Sequence, residues 1–328
     1  MSLSFGLELE LLLGTRKKSS AHSSWKSLAK DLSKRLFKAG IPNHFNDTND
    51  TSQANYHEWS IVQEVTIPSQ PGKNLWGIEL VSPIYTPSTF WATDLATIFS
   101  VLHSSYLVLP SPHCSTHIHI SSCSSSPYGQ GSPGLFTPDQ ITSLAKSALF
   151  FESALDQLVP PERRNNPYWC QSNRGNPFLA GRPLSQCLAL VEDNAMGTMR
   201  EVVEKMNLFP ADSAYGKAHG RKEDFVRGKV YKWDFTGMLP PGEGGSGRGT
   251  IEFRQAPGSL TSENAEGWIT LALAFVAGAV SMNVNHLGVD ADDQGATMDD
   301  LWDLFAGGAE VLGWQSLGEV ERLFAKVG

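Results

Sequence analysis

Four cysteines in 328 residues, Cys114, Cys123, Cys170 and Cys187, are too few and too irregularly spaced to form a disulfide scaffold. A chain of this length does not depend on one, so they are read as reduced thiols. Charge is also sparse, at 18% of residues. No basic run exceeds Arg16-Lys17-Lys18, and the formal charge is −8, which excludes a broad nucleic-acid footprint. The N-terminal residues enter an alternating pattern at once, without a basic segment followed by an apolar one, so no secretory leader is expected and a cytoplasmic location is. The longest apolar stretch, Trp268 to Met282, is about fifteen residues with Gly278 inside it, short of the roughly twenty that a membrane span needs. It predicts a buried helix and no membrane partner.

Apolar residues are plentiful, at 41% with nine tryptophans, enough for a globular core. From Ser2 to Leu12, Phe5, Leu7, Leu9 and Leu11 alternate with Gly6, Glu8 and Glu10, the period of a strand. Ser23 or Ser24 then caps a helix carrying Trp25, Leu28, Leu32 and Leu36, closed by Gly40 with Pro42 beyond. Asn43 to Tyr56 reads as a polar loop. Strands at Glu58–Thr66 and Leu75–Val81 form a hairpin through Pro68–Lys73, Ser88 caps a helix to about Ser104, and Thr116–Ser121 is a further strand. This β-α-β-β-α-β series predicts a split βαβ sheet with the first strand between the third and the fourth, which makes neighbours of the strands bearing Glu8, Glu10, Glu79, His117 and His119.

Ser122 to Ser132 reads as a Ser/Gly/Pro linker. Thr137-Pro138-Asp139-Gln140 opens a helical half with a capping box and proline at the first helical position. Helices are expected at Leu184–Leu208, Ser262–Val284 and Met298–Val327, and strands at Arg227–Phe235 and Gly249–Gln255.

Glu8 and Glu10 leave one face of their strand about 7 Å apart. They are either a solvent-facing stripe or a pair of ligands for a divalent cation, and Glu79 carries the same two readings. His117 and His119 repeat the spacing with Ile118 and Ile120 behind them. A zinc site from His113, Cys114, His117 and His119 is the competing idea, but the intervals match no familiar finger. In Gly249-Thr250-Ile251-Glu252-Phe253-Arg254, Glu252 and Arg254 share a face, as an internal ion pair or as a carboxylate and a forked donor for a metal–phosphate group. The glycine-rich Gly242–Gly249 segment lacks the Lys-Ser/Thr ending of a P-loop and reads as a hairpin or lid offering Arg248 to phosphate. Arg163-Arg164-Asn165-Asn166 reads as solvated surface. Lys217, His219, Arg221 and Lys222 form a second basic cluster, which the spacing does not assign.

Together, Phe5-Gly6-Leu7-Glu8-Leu9-Glu10, Glu79-Leu80-Val81-Ser82-Pro83, His117-Ile118-His119 and Gly249–Arg254 resemble, in order, the motifs of the amidoligase family. These are carboxylate–amine ligases related to glutamine synthetase and glutamate-cysteine ligase, and Glu162-Arg163-Arg164 and Tyr231-Lys232-Trp233-Asp234 fit as well. The resemblance implies an α+β fold of the glutamine-synthetase type, a curved antiparallel sheet with helices on its convex side plus helical additions. It implies one catalytic domain over 1–328: a split βαβ half to 122, a helical segment at 133–210, closing strands at 211–256 and C-terminal helices from 257. It implies ATP with Mg²⁺ or Mn²⁺ held by Glu8, Glu10, Glu79, His117 and Glu252, nucleotide contacts from His119, Arg248 and Arg254, and catalytic roles for Arg254, Glu252 and Arg164. The reaction implied is amide formation through an acyl phosphate, between a small-molecule or peptide carboxylate and an amine, in a chain whose relatives commonly form homo-oligomers. A metal-dependent amide or phosphoester hydrolase and a non-catalytic nucleotide- or metal-binding protein are the alternatives.

Overall fold

The computed structural model describes residues 2–16, 21–46, 56–123, 136–193, 197–242, 244–281 and 294–325. The expected linker from 124 onward and Glu243 of the glycine-rich segment lie outside them. The described chain is α+β, with a mixed, largely antiparallel sheet. It divides into two compact, interleaved units, one built from residues 4–118 and 256–269 and the other from 1–3, 119–255 and 270–328.

In the first unit, β1 (Leu3–Thr15) alternates at its start and then has both faces buried from Leu9 to Leu13. The helix α1 (Trp25–Lys38) begins where the Ser24 hydroxyl accepts the Ser27 N–H at 3.2 Å, and it buries Leu28, Ala29, Leu32 and Leu36. Spacing of three and four residues puts these side chains on one stripe. A short strand β2 (Asn43–Phe45) pairs parallel to β3 (Trp59–Gln63), which pairs antiparallel to β4 (Leu75–Val81). The helix α2 (Trp91–Ser105) runs directly into β5 (Tyr106–Leu109), which pairs with the end of β1, and β6 (Thr116–Ser122) follows. The strand order in this unit is β2-β3-β4-β1 followed by the start of β6. The predicted placement of the first strand therefore holds. Phe5 packs edge-on against Trp91 and at a tilt against Tyr85, whose hydroxyl accepts the Trp59 indole N–H at 3.0 Å.

Three expectations change here. Ser88 does not cap α2, because Thr89 closes a turn on the Thr86 carbonyl and the helix starts two residues later, after Phe90. The polar loop contains β2, a strand too short to show a period. β5 was hidden because no turn residue separates it from α2.

In the second unit, α3 (Pro138–Phe150) carries the capping box, with the Thr137 hydroxyl and Gln140 side chain satisfying each other's backbone N–H groups. It leads into α4 (Glu152–Leu158). The expected helix over 184–208 is two, α5 (Leu184–Glu192) and α6 (Met199–Asn207). Gly197 sits at φ +63° and the Thr198 hydroxyl caps the second helix on the Glu201 N–H. A two-stranded ribbon, β7 (Leu208–Phe209) and β8 (Phe225–Val226), flanks α7 (Ala214–Ala218). The expected strand over 227–235 shrinks to β9 (Trp233–Asp234), because Gly228–Val230 forms a tight 3-10 turn. Likewise 249–255 shrinks to β10 (Ile251–Phe253). The rest of β6 is followed by β10 and then β9.

The helix α8 (Ser262–Ser281) is long and apolar enough to cross a membrane by those measures alone, yet 72% of its most apolar window is buried, the pattern of a core helix. Its Phe275 stacks on Trp233 at 4.9 Å, and Trp233 touches Phe253 at 4.8 Å. Such aromatic pairs add roughly 0.5–1.5 kcal/mol beyond area burial. The expected helix from Met298 stops at Leu312 (α9), where Gly313 takes φ +73°, and α10 (Glu319–Phe324) follows separately. All four cysteines are buried free thiols.

Candidate functional site

Strand pairing in the first unit gathers the acidic residues. Glu8 and Glu10 leave one face of β1, and the register places Glu79 of β4 directly opposite Glu10. His117, at the start of β6, has Nδ1 3.2 Å from Glu8 Oε2 and 3.9 Å from Glu10 Oε1. Glu10 and His117 are almost fully buried. The Glu79 residue keeps a solvent-accessible edge, but protein surrounds its carboxyl. Burial raises its pKa well above the usual carboxylate value, reinforced by Glu8, by a hydrogen bond to Glu8, and by Glu10 and Glu64. The cluster is the donor set a hard divalent cation prefers, several carboxylate oxygens with one imidazole. Cys114, beside it, is a poor zinc ligand, since burial and then Glu10 push its thiol up to about 12.

The second unit holds a constellation of different character. Arg254 Nη1 donates to Glu252 Oε1, and both side chains are buried. His119 Nε2 lies 3.7 Å from the same Glu252 oxygen. Asp234 stands opposite Glu252 in the β9–β10 pair and accepts the Thr236 N–H at 2.7 Å. Burial raises its pKa, with Glu252 adding to the shift. A Cβ on Gly228 would sit 1.6 Å from the Asp234 carboxyl carbon, so only glycine lets the backbone press this close. Arg163 was expected at the surface, but it is 1% exposed. Its guanidinium donates to the Arg254 and Gln255 carbonyls, tying down the end of β10.

Alongside, Lys232 Nζ bonds Glu152 Oε1 at 2.9 Å and Asp156 Oδ1 at 2.6 Å. Burial lowers the lysine pKa, but the two carboxylates outweigh it and the net shift is upward. Arg164, whose Nε donates to the Val159 carbonyl at 3.3 Å, lies with Glu152 and Asp156 on the wall of a cavity of about 750 Å³. Arg248 is exposed on its loop between Gly247 and Gly249. Asp234, Lys232, Glu152 and Asp156 received no role from the sequence. The signal for Glu152 and Asp156 was their four-residue spacing, which puts both on one helix face.

A family model described as "Putative amidoligase enzyme" matches residues 1–175, more than half of the chain. The chain belongs to this family. No curated protein matches it. The amidoligase match takes in Glu8, Glu10, Glu79, His117, His119, Glu152, Asp156 and Arg164, whereas Asp234, Glu252 and Arg254 lie beyond its end. Amidoligase membership supports an enzyme of the ligase type.

Proposed function

We propose that this amidoligase is an ATP-dependent carboxylate–amine ligase with a glutamine-synthetase-like fold. The γ-phosphoryl group of ATP passes to a carboxylate oxygen, releasing ADP. The amine nitrogen then attacks the acyl carbon, loses a proton and displaces phosphate. The observation that carries the reading is the gathering of Glu8, Glu10, Glu79 and His117 on adjoining strands, in a chain of the amidoligase family.

The donor set fits Mg²⁺ or Mn²⁺, because the crowding that raises the Glu79 pKa would be relieved by a divalent cation. Glu8, Glu10, Glu79 and His117 are the assigned ligands in the first unit, and Glu252 is the one assigned in the second. When bound, the metal offsets the repulsion between a polyphosphate and a carboxylate. Arg254, a forked donor aligned by Glu252, is assigned to the transferred phosphoryl group, with His119 and Arg248 as nucleotide contacts. Arg163 holds the Arg254 backbone, so the fork is positioned before any ligand arrives. Arg164 is assigned to the acid substrate. The partners are a small-molecule or peptide carboxylate and an amine, in the cytoplasm.

Calorimetry of ATP binding with and without excess Mg²⁺, on the wild type and on Glu10→Gln and Arg254→Ala, tests the reading. Metal-dependent binding weakened about 10-fold or more by each change is expected, as charge-assisted contacts are lost. Absence of nucleotide binding under any metal would overturn it and favour hydrolysis.

A further inference from the structure

The cavity beside α4 has an unusual charge balance. Its wall carries Glu152, Asp156, Arg164, Arg174 and Arg182. Both carboxylates are already engaged, sharing the buried Lys232 ammonium, while the Ser172 hydroxyl donates to Glu152 and the Gln255 amide to Asp156. The arginines are not so engaged. Each is anchored by one backbone carbonyl: Arg164 by Val159, Arg174 by Arg182 and Arg182 by Phe178. Among the described residues none of the three is paired with a carboxylate. With Lys232 counted, positive groups outnumber negative ones by two, and all three arginines line the cavity.

We propose that this cavity binds a small dicarboxylate, or a substrate with a dicarboxylate head, through Arg164, Arg174 and Arg182. Two carboxylates match the surplus of two positive charges, and planar guanidinium forks suit carboxylates by geometry as well as charge. A volume of about 750 Å³ is within the range of small-molecule sites and exceeds what a lone inorganic anion would fill. The cavity wall also connects to Arg254 within the same unit. Lys232, which fixes Glu152 and Asp156, accepts the Arg254 backbone N–H on its carbonyl at 2.8 Å, so the two are cross-strand partners. The assignment of this cavity as the acid-substrate pocket rests on the ligase reading, whereas dicarboxylate binding does not.

The test is calorimetry with glutarate in the absence of nucleotide, with glutaramide and sulfate as companions, on the full chain. Glutarate should bind the wild type, glutaramide should not, and Arg174→Gln/Arg182→Gln should weaken glutarate about 10-fold or more. Arg164→Gln, at an exposed position, gives a second variant should the double one fail to fold. No heat with glutarate, equal binding of sulfate, or variants that bind like the wild type would overturn the proposal. Glutarate binding without any ATP binding would remove the ligase reading and leave the pocket standing. ATP binding without glutarate binding would remove the pocket alone.

Discussion

Each of the two units gathers buried carboxylates, and they handle the repulsion in opposite ways. In the first, Glu8, Glu10 and Glu79 converge beside His117, and burial with their mutual repulsion raises the Glu79 pKa. In the second, the protein brings its own fixed cations: Arg254 for Glu252, and Lys232 for Glu152 and Asp156. Carboxylates crowded in this way are relieved when a metal ion binds between them. The Glu152–Asp156 pair, balanced by the Lys232 ammonium, is complete without one, and the arginines lining its cavity suit an anion. The first chemistry is that of a cation holder and the second that of an anion holder.

The comparison breaks most sharply if Lys232 is replaced. Lys232→Met leaves the half-buried Glu152 and Asp156 without their buried counterion and is expected to cost about 3 kcal/mol by denaturant unfolding. Lys232→Met with Glu152→Gln and Asp156→Asn should regain most of that loss, and a failure to do so would mean the lysine acts by packing rather than charge. Next in size, Gly228→Ala forces its Cβ onto the Asp234 carboxyl and should cost about 1–3 kcal/mol. The smallest expected effect sharpens the first unit. A carboxyl with a raised folded pKa contributes stability that is fully present below its unfolded value of 4.5 and is lost as pH rises through the folded value. Without metal, the wild type should therefore lose stability from about pH 4.5 upward. Glu79→Gln should flatten this slope and raise Tm near neutral pH by about 1–3 °C. Excess Mg²⁺ should flatten it in the wild type and do less in Glu79→Gln. Identical pH profiles in a thermal-shift series would place the strain elsewhere.

Much of the first unit was legible beforehand because its signals are local. Alternation put Glu8 and Glu10 on one face, and Ser24 marked a helix start within a single turn. The second unit was harder. Short strands such as β9 and β10 show too little period, and the breaks at Gly197 and Gly313 interrupt stripes that read as continuous helices. Arg163 looked solvated because its partners, the carbonyls of Arg254 and Gln255, lie some ninety residues away.

By itself, then, the sequence determined the place of β1 between β4 and β6, the faces of the Glu-x-Glu, His-x-His and Glu-x-Arg pairs, and the family resemblance. Periodicity, capping and motif spacing act over a few residues and need no knowledge of the rest. Only the tertiary structure decided that Glu79 stands opposite Glu10, that Lys232 holds Glu152 and Asp156, and that three arginines line one cavity. Strand register and buried ion pairing join residues far apart in the chain, and the energy that selects them exists once those elements are packed.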